Sequence, residues 1–219
     1  RFVSRFEQVT PEEAGIRAED LRELLASKPA DASLEGYLYG ETYEFYKGDT
    51  VETILIRAMT ELAKVVQENN LVSAYEAQGL TLHQGITLAS IVQEESTATD
   101  YANVAQVLML RLSEGMALGA DATVKYAIDL IDRDRTNYDN NADALEVDSP
   151  YNTRKNPGLP PTPISNPGLP ALLGVAHPAD TDYLYFLTGD DGMMYYSHTE
   201  DEHLQKVSEY CKELCAIAL

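Results

Sequence analysis

Glu95 is the residue of this chain whose type and setting best fit acid chemistry. It stands near the end of T-L-H-Q-G-I-T-L-A-S-I-V-Q-E-E-S, Thr81 to Ser96, a stretch that reads as one helix with Thr81 as its N-cap. At about 100° per residue, Leu88, Ile91 and Val92 share a stripe that Glu95 continues. Glu94 turns about 100° away from that stripe and Gln93 about 160°. A carboxyl against apolar neighbours has a raised pKa, because desolvation disfavours its charged form. A glutamate protonated near neutral pH is a general acid. The competing reading, a salt-bridged Glu95 or one turned outward at the helix end, stays open on patterning alone.

The chain that must position this carboxyl has 219 residues, enough for one large domain or two small ones. Its hydrophobic content of 44% is ample for a core. Acidic residues outnumber basic ones 36 to 16, a net charge of −20 that repels nucleic-acid phosphates and anionic lipid. Nucleic acid is therefore excluded as a partner. No run of 18 apolar residues occurs, so no segment reads as membrane-spanning. A start at Arg1, without methionine or signal peptide, reads as a fragment or a processed piece.

Helices dominate the pattern. Residues Arg17 to Ser27 form a short amphipathic one carrying Leu21, Leu24 and Leu25, stopped before Pro29. The tyrosine- and glycine-rich segment Leu34 to Tyr43 suits either a sugar-stacking wall or packing at a domain edge. Thr50 caps a long helix running to about Asn69, with Ile54, Ala58, Leu62 and Val65 on one face. After the Glu95 helix, Asp100 opens another that Gly115 ends, and Asp121 is placed to cap a further short one. Residues 132–148, rich in Asn and Asp, read as an exposed loop.

Seven prolines between Pro150 and Pro170 make the next stretch rigid without helix or strand. It contains N-P-G-L-P twice, at Asn156 and Asn166, and the second copy predicts a helix start with Asn166 as cap and Pro167 in the first turn. The chain ends in a hairpin, Asp182–Leu187 against Met193–Ser197 across Gly189–Gly192, and a last helix capped by Thr199 with Glu202 at capping-box spacing. Cys211 and Cys215 in that helix fit neither a redox nor a zinc motif and read as two small apolar residues, since a regular helix does not readily supply bridging geometry. The class predicted is α+β: helix-rich, with a small antiparallel sheet and a rigid proline-rich loop.

Leu88-Ala89-Ser90-Ile91-Val92-Gln93-Glu94-Glu95-Ser96 resembles the L-A-S-I-V-E-K-E-T signature of YceG-like endolytic murein transglycosylases. Four further segments resemble that family in order: Glu35–Leu38; Arg111-Leu112 with Gly115-Met116 and Asp121; Asp148–Thr153 through Asn166-Pro167-Gly168; and His177–Ala179 through Phe186. The resemblance spans roughly Leu34 to Tyr210 and divides the chain into an N-terminal helical segment, 1–33, and a catalytic domain, 34–219. Departures are Gln93 for the family's first glutamate, Gly119-Ala120 in the stretch before Asp121, Gly40-Glu41 before Thr42-Tyr43, and Met194 for a hairpin histidine. The family's transmembrane helix and LysM-like subdomain are not evident.

The resemblance implies a membrane-anchored envelope enzyme that cuts peptidoglycan glycan strands internally, with an anchor upstream of these residues and the chemistry on the extracytoplasmic face. It implies Glu95 as acid and then base, no metal and no cofactor, glycan strands as substrate and wall-synthesis proteins as candidate partners. Asp121, Thr123, Tyr151, Asn152 and Asn166 are the expected substrate-positioning residues. Asp121 and Asn166 also read as caps, and Tyr151 and Asn152 as turn residues. A hydrolase with Asp121 or Glu41 holding a water, and a non-catalytic wall-binding scaffold, are the rival readings.

Overall fold

A computed structural model describes residues 18–44, 46–97, 99–131 and 145–217. In chain order its elements are α1 (Ala18–Ala26), α2 (Val51–Glu68), α3 (Leu71–Ala77), α4 (Leu82–Glu95), α5 (Tyr101–Ser113) and α6 (Asp121–Ile131). There follow α7 (Leu169–Ala176), β1 (Tyr185–Thr188), β2 (Met194–Ser197), α8 (Glu200–Tyr210) and α9 (Leu214–Ile217). Helices with one two-stranded antiparallel sheet are the predicted class.

Helix α4 is the axis. Leu82 and every residue from Gly85 to Val92 are buried, so the helix is enclosed around most of its circumference. Helices α3, α5, α6 and α7 pack against it. Leu21 and Leu24 of α1 join the same core as Leu62, Ile86, Ile91, Leu108 and Leu172. Gly85 permits the closest approach, since a Cβ there would meet the Tyr75 ring of α3 at 2.1 Å.

The helix starts follow local chemistry. The Thr81 hydroxyl accepts from Gln84 N–H while the Gln84 side chain accepts from Thr81 N–H, a complete capping box. Thr50 and Thr199 likewise accept from the third residue beyond them. The long helix α2 stops at Glu68 because Asn70 takes a left-handed conformation, which asparagine tolerates, and α3 follows as a helix the sequence pattern did not separate.

Strands β1 and β2 pair in the register Tyr185↔Ser197 to Thr188↔Met194, with α8 packed against both. Two sequence expectations fail at this end and in the proline loop. The last helix is not continuous: the chain leaves helical geometry at Cys211 (φ −132°, ψ 60°), and Cys211 is disulfide-bonded to Cys215. The break lets the two Cβ vectors converge where a regular helix would not. Asn166 is not a helix cap either, for α7 begins at Leu169 behind Gly168 with no side-chain cap. The exposed loop expected at 132–148 lies, for residues 132–144, outside the described residues. Among the described residues no helix is long and apolar enough to cross a membrane.

Candidate active site

Glu95 is the last residue of α4, one turn beyond Ile91 and Val92, both fully buried. Its Oε1 accepts the backbone N–H of Ala122, the second residue of α6, at 3.0 Å. The residue as a whole is half-buried, yet its carboxyl is crowded enough that its pKa is pushed up to about 7. A carboxyl with one edge open to solvent and the rest walled by protein satisfies both observations. Burial is the main cause of the rise; the Ala122 N–H and the Arg154 guanidinium oppose it, while the charges of Asp121 and Glu94 add to it. Glu94 itself is exposed.

Three segments that are distant in sequence close around this carboxyl. The first is the start of α6. Asp121 is its first residue, and its Oδ1 accepts the Nε–H of Arg154 (2.6 Å) and lies in ion-pair contact with Nη2 (2.5 Å). The second is the segment Tyr151–Arg154, laced to the approach to α6. Gly119 N–H donates to the Thr153 carbonyl (3.1 Å), Ala120 N–H to the Thr153 hydroxyl (3.2 Å), and the Thr123 and Thr153 hydroxyls bond each other (2.8 Å). The third is Arg111 of α5, which donates from Nε to the Leu184 carbonyl (2.6 Å) and from Nη1 to the Leu118 carbonyl (2.7 Å) and lies over the Tyr185 ring. Burial lowers the Arg111 pKa below its usual value; Tyr185 and Glu95 counter this and Arg154 reinforces it, so the three charges share one neighbourhood.

Helix α4 also fastens the proline loop. The Ser90 hydroxyl accepts Ile164 N–H (3.0 Å), the Ser90 carbonyl accepts the Ser165 hydroxyl (3.1 Å), and Gln93 Oε1 accepts Gly168 N–H (3.0 Å). Ser90 and Gln93 lie three residues apart, hence on one face. Gly36, at φ +83°, packs where a Cβ would meet Pro163 at 2.4 Å, so the Glu35–Leu38 segment lies directly on this loop. Asn166 ties the two together, its Oδ1 accepting Gly36 N–H (2.8 Å) and Leu38 N–H (3.2 Å).

The expected site residues therefore divide. Asp121 stands beside Glu95, exposed and ion-paired. Tyr151 is half-buried, its ring 5.0 Å from that of Tyr126 and its hydroxyl on Thr162 (2.7 Å). Asn166 is an exposed residue whose carbonyl clamps the Gly36 loop. Thr123 and Asn152 are fully buried. Asn152 donates to the Leu145 and Val147 carbonyls (2.9 Å each) and accepts Arg154 N–H (3.0 Å), so it holds the loop that carries Arg154. Of the tyrosines suggested as a sugar wall, Tyr37 is fully buried against His83 (2.8 Å) and packs.

Sequence reasoning missed Arg154, the Ala122 amide, and the fastening roles of Ser90 and Gln93. Arg154 had a signal: a cation directly after Tyr151-Asn152-Thr153 in a chain with 16 basic residues. The amide carried none, because a backbone N–H has no residue type. Two grooves, of about 410 and 520 Å³, lie elsewhere, the first between α1, α2, α3 and Leu82, the second between α1, α3 and the start of α4. Among the described residues their only ionisable lining groups are Glu23 and Glu76, and those residues assemble no chemistry there. Among the described residues no group of three or more His, Cys, Asp or Glu could hold a metal ion.

Fold and site define an α+β domain built around one acid-bearing helix and a clamped proline loop. The chain belongs to the YceG-like family, whose family model matches residues 3–209. It is 38% identical over 182 residues to a Bacillus subtilis protein named endolytic murein transglycosylase, covering 81% of this chain and 48% of that protein. A Streptococcus pneumoniae protein of the same name is 30% identical over 194 residues, 85% of this chain and 35% of its own length. This chain thus spans a third to a half of those relatives. A crystal structure of a YceG-like protein from Listeria monocytogenes superposes with a TM-score of 0.74 at 33% identity, covering 93% of this chain and 63% of the other.

Proposed function

We infer that this chain carries the glycan-cutting activity of an endolytic murein transglycosylase, with residues 34–219 as the catalytic part and the bacterial cell wall as its place of action. The observation that carries the reading is Glu95 itself, half-buried at the end of α4, its Oε1 anchored by the Ala122 amide and its carboxyl beside Asp121 and Arg154. The relatives' names supply the substrate class, peptidoglycan.

With Oε1 occupied by Ala122 N–H, Oε2 is the oxygen that carries the proton. Glu95 donates it to the oxygen joining N-acetylmuramic acid to N-acetylglucosamine as the anomeric C–O bond breaks. The resulting carboxylate then takes the proton of the muramyl 6-hydroxyl, whose oxygen closes a 1,6-anhydro ring on the anomeric carbon. Acid and base are one residue at two moments. Burial favours the first form, and the amide at the start of α6 supports the second. Because the nucleophile belongs to the substrate, no second carboxylate must hold a water. This agrees with Asp121, which gives Oδ1 to Arg154, and with Glu41, an exposed residue whose Oε1 accepts Thr42 N–H. Tyr151 and Asp121 border the substrate; Thr123, Asn152 and Asn166 position what borders it.

The test is turnover of uncrosslinked glycan strands, followed as a shift in strand length. Glu95→Gln keeps the acceptor for Ala122 N–H and removes the acid. It should lower the rate by about 10²–10⁴-fold, the usual contribution of a general acid. Glu94→Gln is the matched control and should cut normally. A folded Glu95→Gln protein with full activity contradicts the assignment.

A further inference from the structure

We propose that Arg154 binds a carboxylate on the muramyl substituent of the substrate, with Asp121 holding it ready beside Glu95. The proposal rests on the reading of the chain as a peptidoglycan-cutting enzyme.

The carrying observation is how the guanidinium is held. Nε and Nη2 form one edge on Asp121 Oδ1: Nε donates to it at 2.6 Å and Nη2 makes an ion-pair contact with it at 2.5 Å. That leaves the Nη1–Nη2 edge, where Nη1 meets no acceptor among the described residues. The Arg154 side chain is 40% exposed, so this second edge is reachable. The backbone behind it is fixed, because Arg154 N–H donates to the buried Asn152 and Thr153 is laced to Gly119, Ala120 and Thr123. An arginine gripped by one edge and presenting the other is preorganised for bidentate binding of a planar anion. Surface pairs of this exposure stabilise a fold little, so a structural purpose alone explains the arrangement poorly.

Location and charge choose the ligand. Asp121 directly precedes the residue whose N–H meets Glu95, and the Arg154 charge acts on the Glu95 carboxyl, so the guanidinium lies beside the acid. The other guanidinium there, Arg111, is committed to two carbonyls. A chain of net charge −20 repels an anionic polymer at long range, and an accessible cation at the point of cutting offsets that repulsion where it matters. Peptidoglycan bears carboxylates on the lactyl-linked peptide stems of its muramyl residues, next to the bond that Glu95 would cleave. Where a stem has been removed, the lactyl group itself ends in a carboxylate.

The test uses tetrasaccharide fragments in three forms: stems with free carboxylates, stems with carboxylates amidated, and stems removed. Binding is measured by calorimetry in a Glu95→Gln background that prevents turnover, with and without Arg154→Gln. Cleavage of the matching strands is measured in the active protein. Arg154→Gln should weaken binding of free-carboxylate stems about tenfold, the scale of one charge-assisted pair, and leave the amidated form within about twofold. The loss should appear in KM rather than kcat. Arg154→Lys, which keeps the charge without the fork, should lie between and guards against a folding artefact. A loss confined to stem-free fragments supports the proposal and names the lactyl carboxylate as the group. Measurable and equal weakening of the charged and amidated forms, or no weakening of any of the three, overturns it while cleavage persists. Failure of the protein with Arg154 in place to bind or cut any fragment overturns it together with the functional reading.

Discussion

The Glu95 carboxyl is pulled two ways, and its pH behaviour follows. Burial raises its pKa to about 7, against an opposing amide and guanidinium. The acid form disappears as pH rises through that value, so cleavage at saturating substrate should fall across neutrality; a rate flat from pH 5 to 9 would contradict a lone Glu acid. Stability has the same sign. A carboxyl whose folded pKa lies above its unfolded value contributes stability that is complete below the ordinary glutamate range and is lost as pH rises through about 7. Glu95→Gln should therefore match the native protein in thermal melts at pH 4 and exceed it at pH 8, by on the order of 1–2 kcal/mol after allowance for solvent at the open edge. A mutant less stable than the native chain at pH 8 would place the carboxyl in a more favourable setting than burial gives. Glu95 was legible in the sequence because its stripe lies on its own helix. Ala122 was not, and Arg154 showed only as a cation after Tyr151-Asn152-Thr153, since their roles come from contacts that no local period records.

Helix α4 acts as a rail, and what it holds can be tested piece by piece. It carries the acid at its end, the proline loop on Ser90 and Gln93, and α3 at Gly85. Gly85→Ala should cost about 1–3 kcal/mol of stability, because its methyl group overlaps a buried tyrosine ring. Gly40→Ala, with open space around it, should cost little; denaturant titrations of the two variants separate them. At the loop, Asn166→Ala strands two backbone N–H groups and should lose about 1–2 kcal/mol, whereas Asn166→Asp retains the accepting oxygen and most of the stability. Equal losses would mean that the clamp does not act through that oxygen. The threonine caps and the hairpin could be read from sequence because each is decided within a few residues. Asn166 could not: the cap pattern was present, but the acceptor is used 130 residues away, on the Gly36 loop. The break at Cys211 belongs with it, since Asp190 of the hairpin turn receives Lys212, Glu213 and Leu214 N–H and starts α9 from outside.

For the whole molecule, the helix-rich α+β class followed from the order of periodic segments, and the YceG-like signature from the Glu95 helix together with the proline loop. The near-complete enclosure of α4 did not follow, because one stripe on a wheel cannot show that neighbours cover the other sides too. Net charge pointed away from nucleic acid without indicating a substrate, and the place of a cation beside the acid became visible only in three dimensions. Glu95 is proposed to serve as both acid and base toward an intramolecular nucleophile, and the new chain ends report this directly. Uncrosslinked glycan strands are incubated with the protein in heavy-oxygen water and the muramyl termini are weighed by mass spectrometry. The predicted ends are 1,6-anhydro, lighter by one water than hydrolytic ends and free of label, on mid-length fragments, and absent with Glu95→Gln. Reducing, labelled muramyl ends would contradict the mechanism.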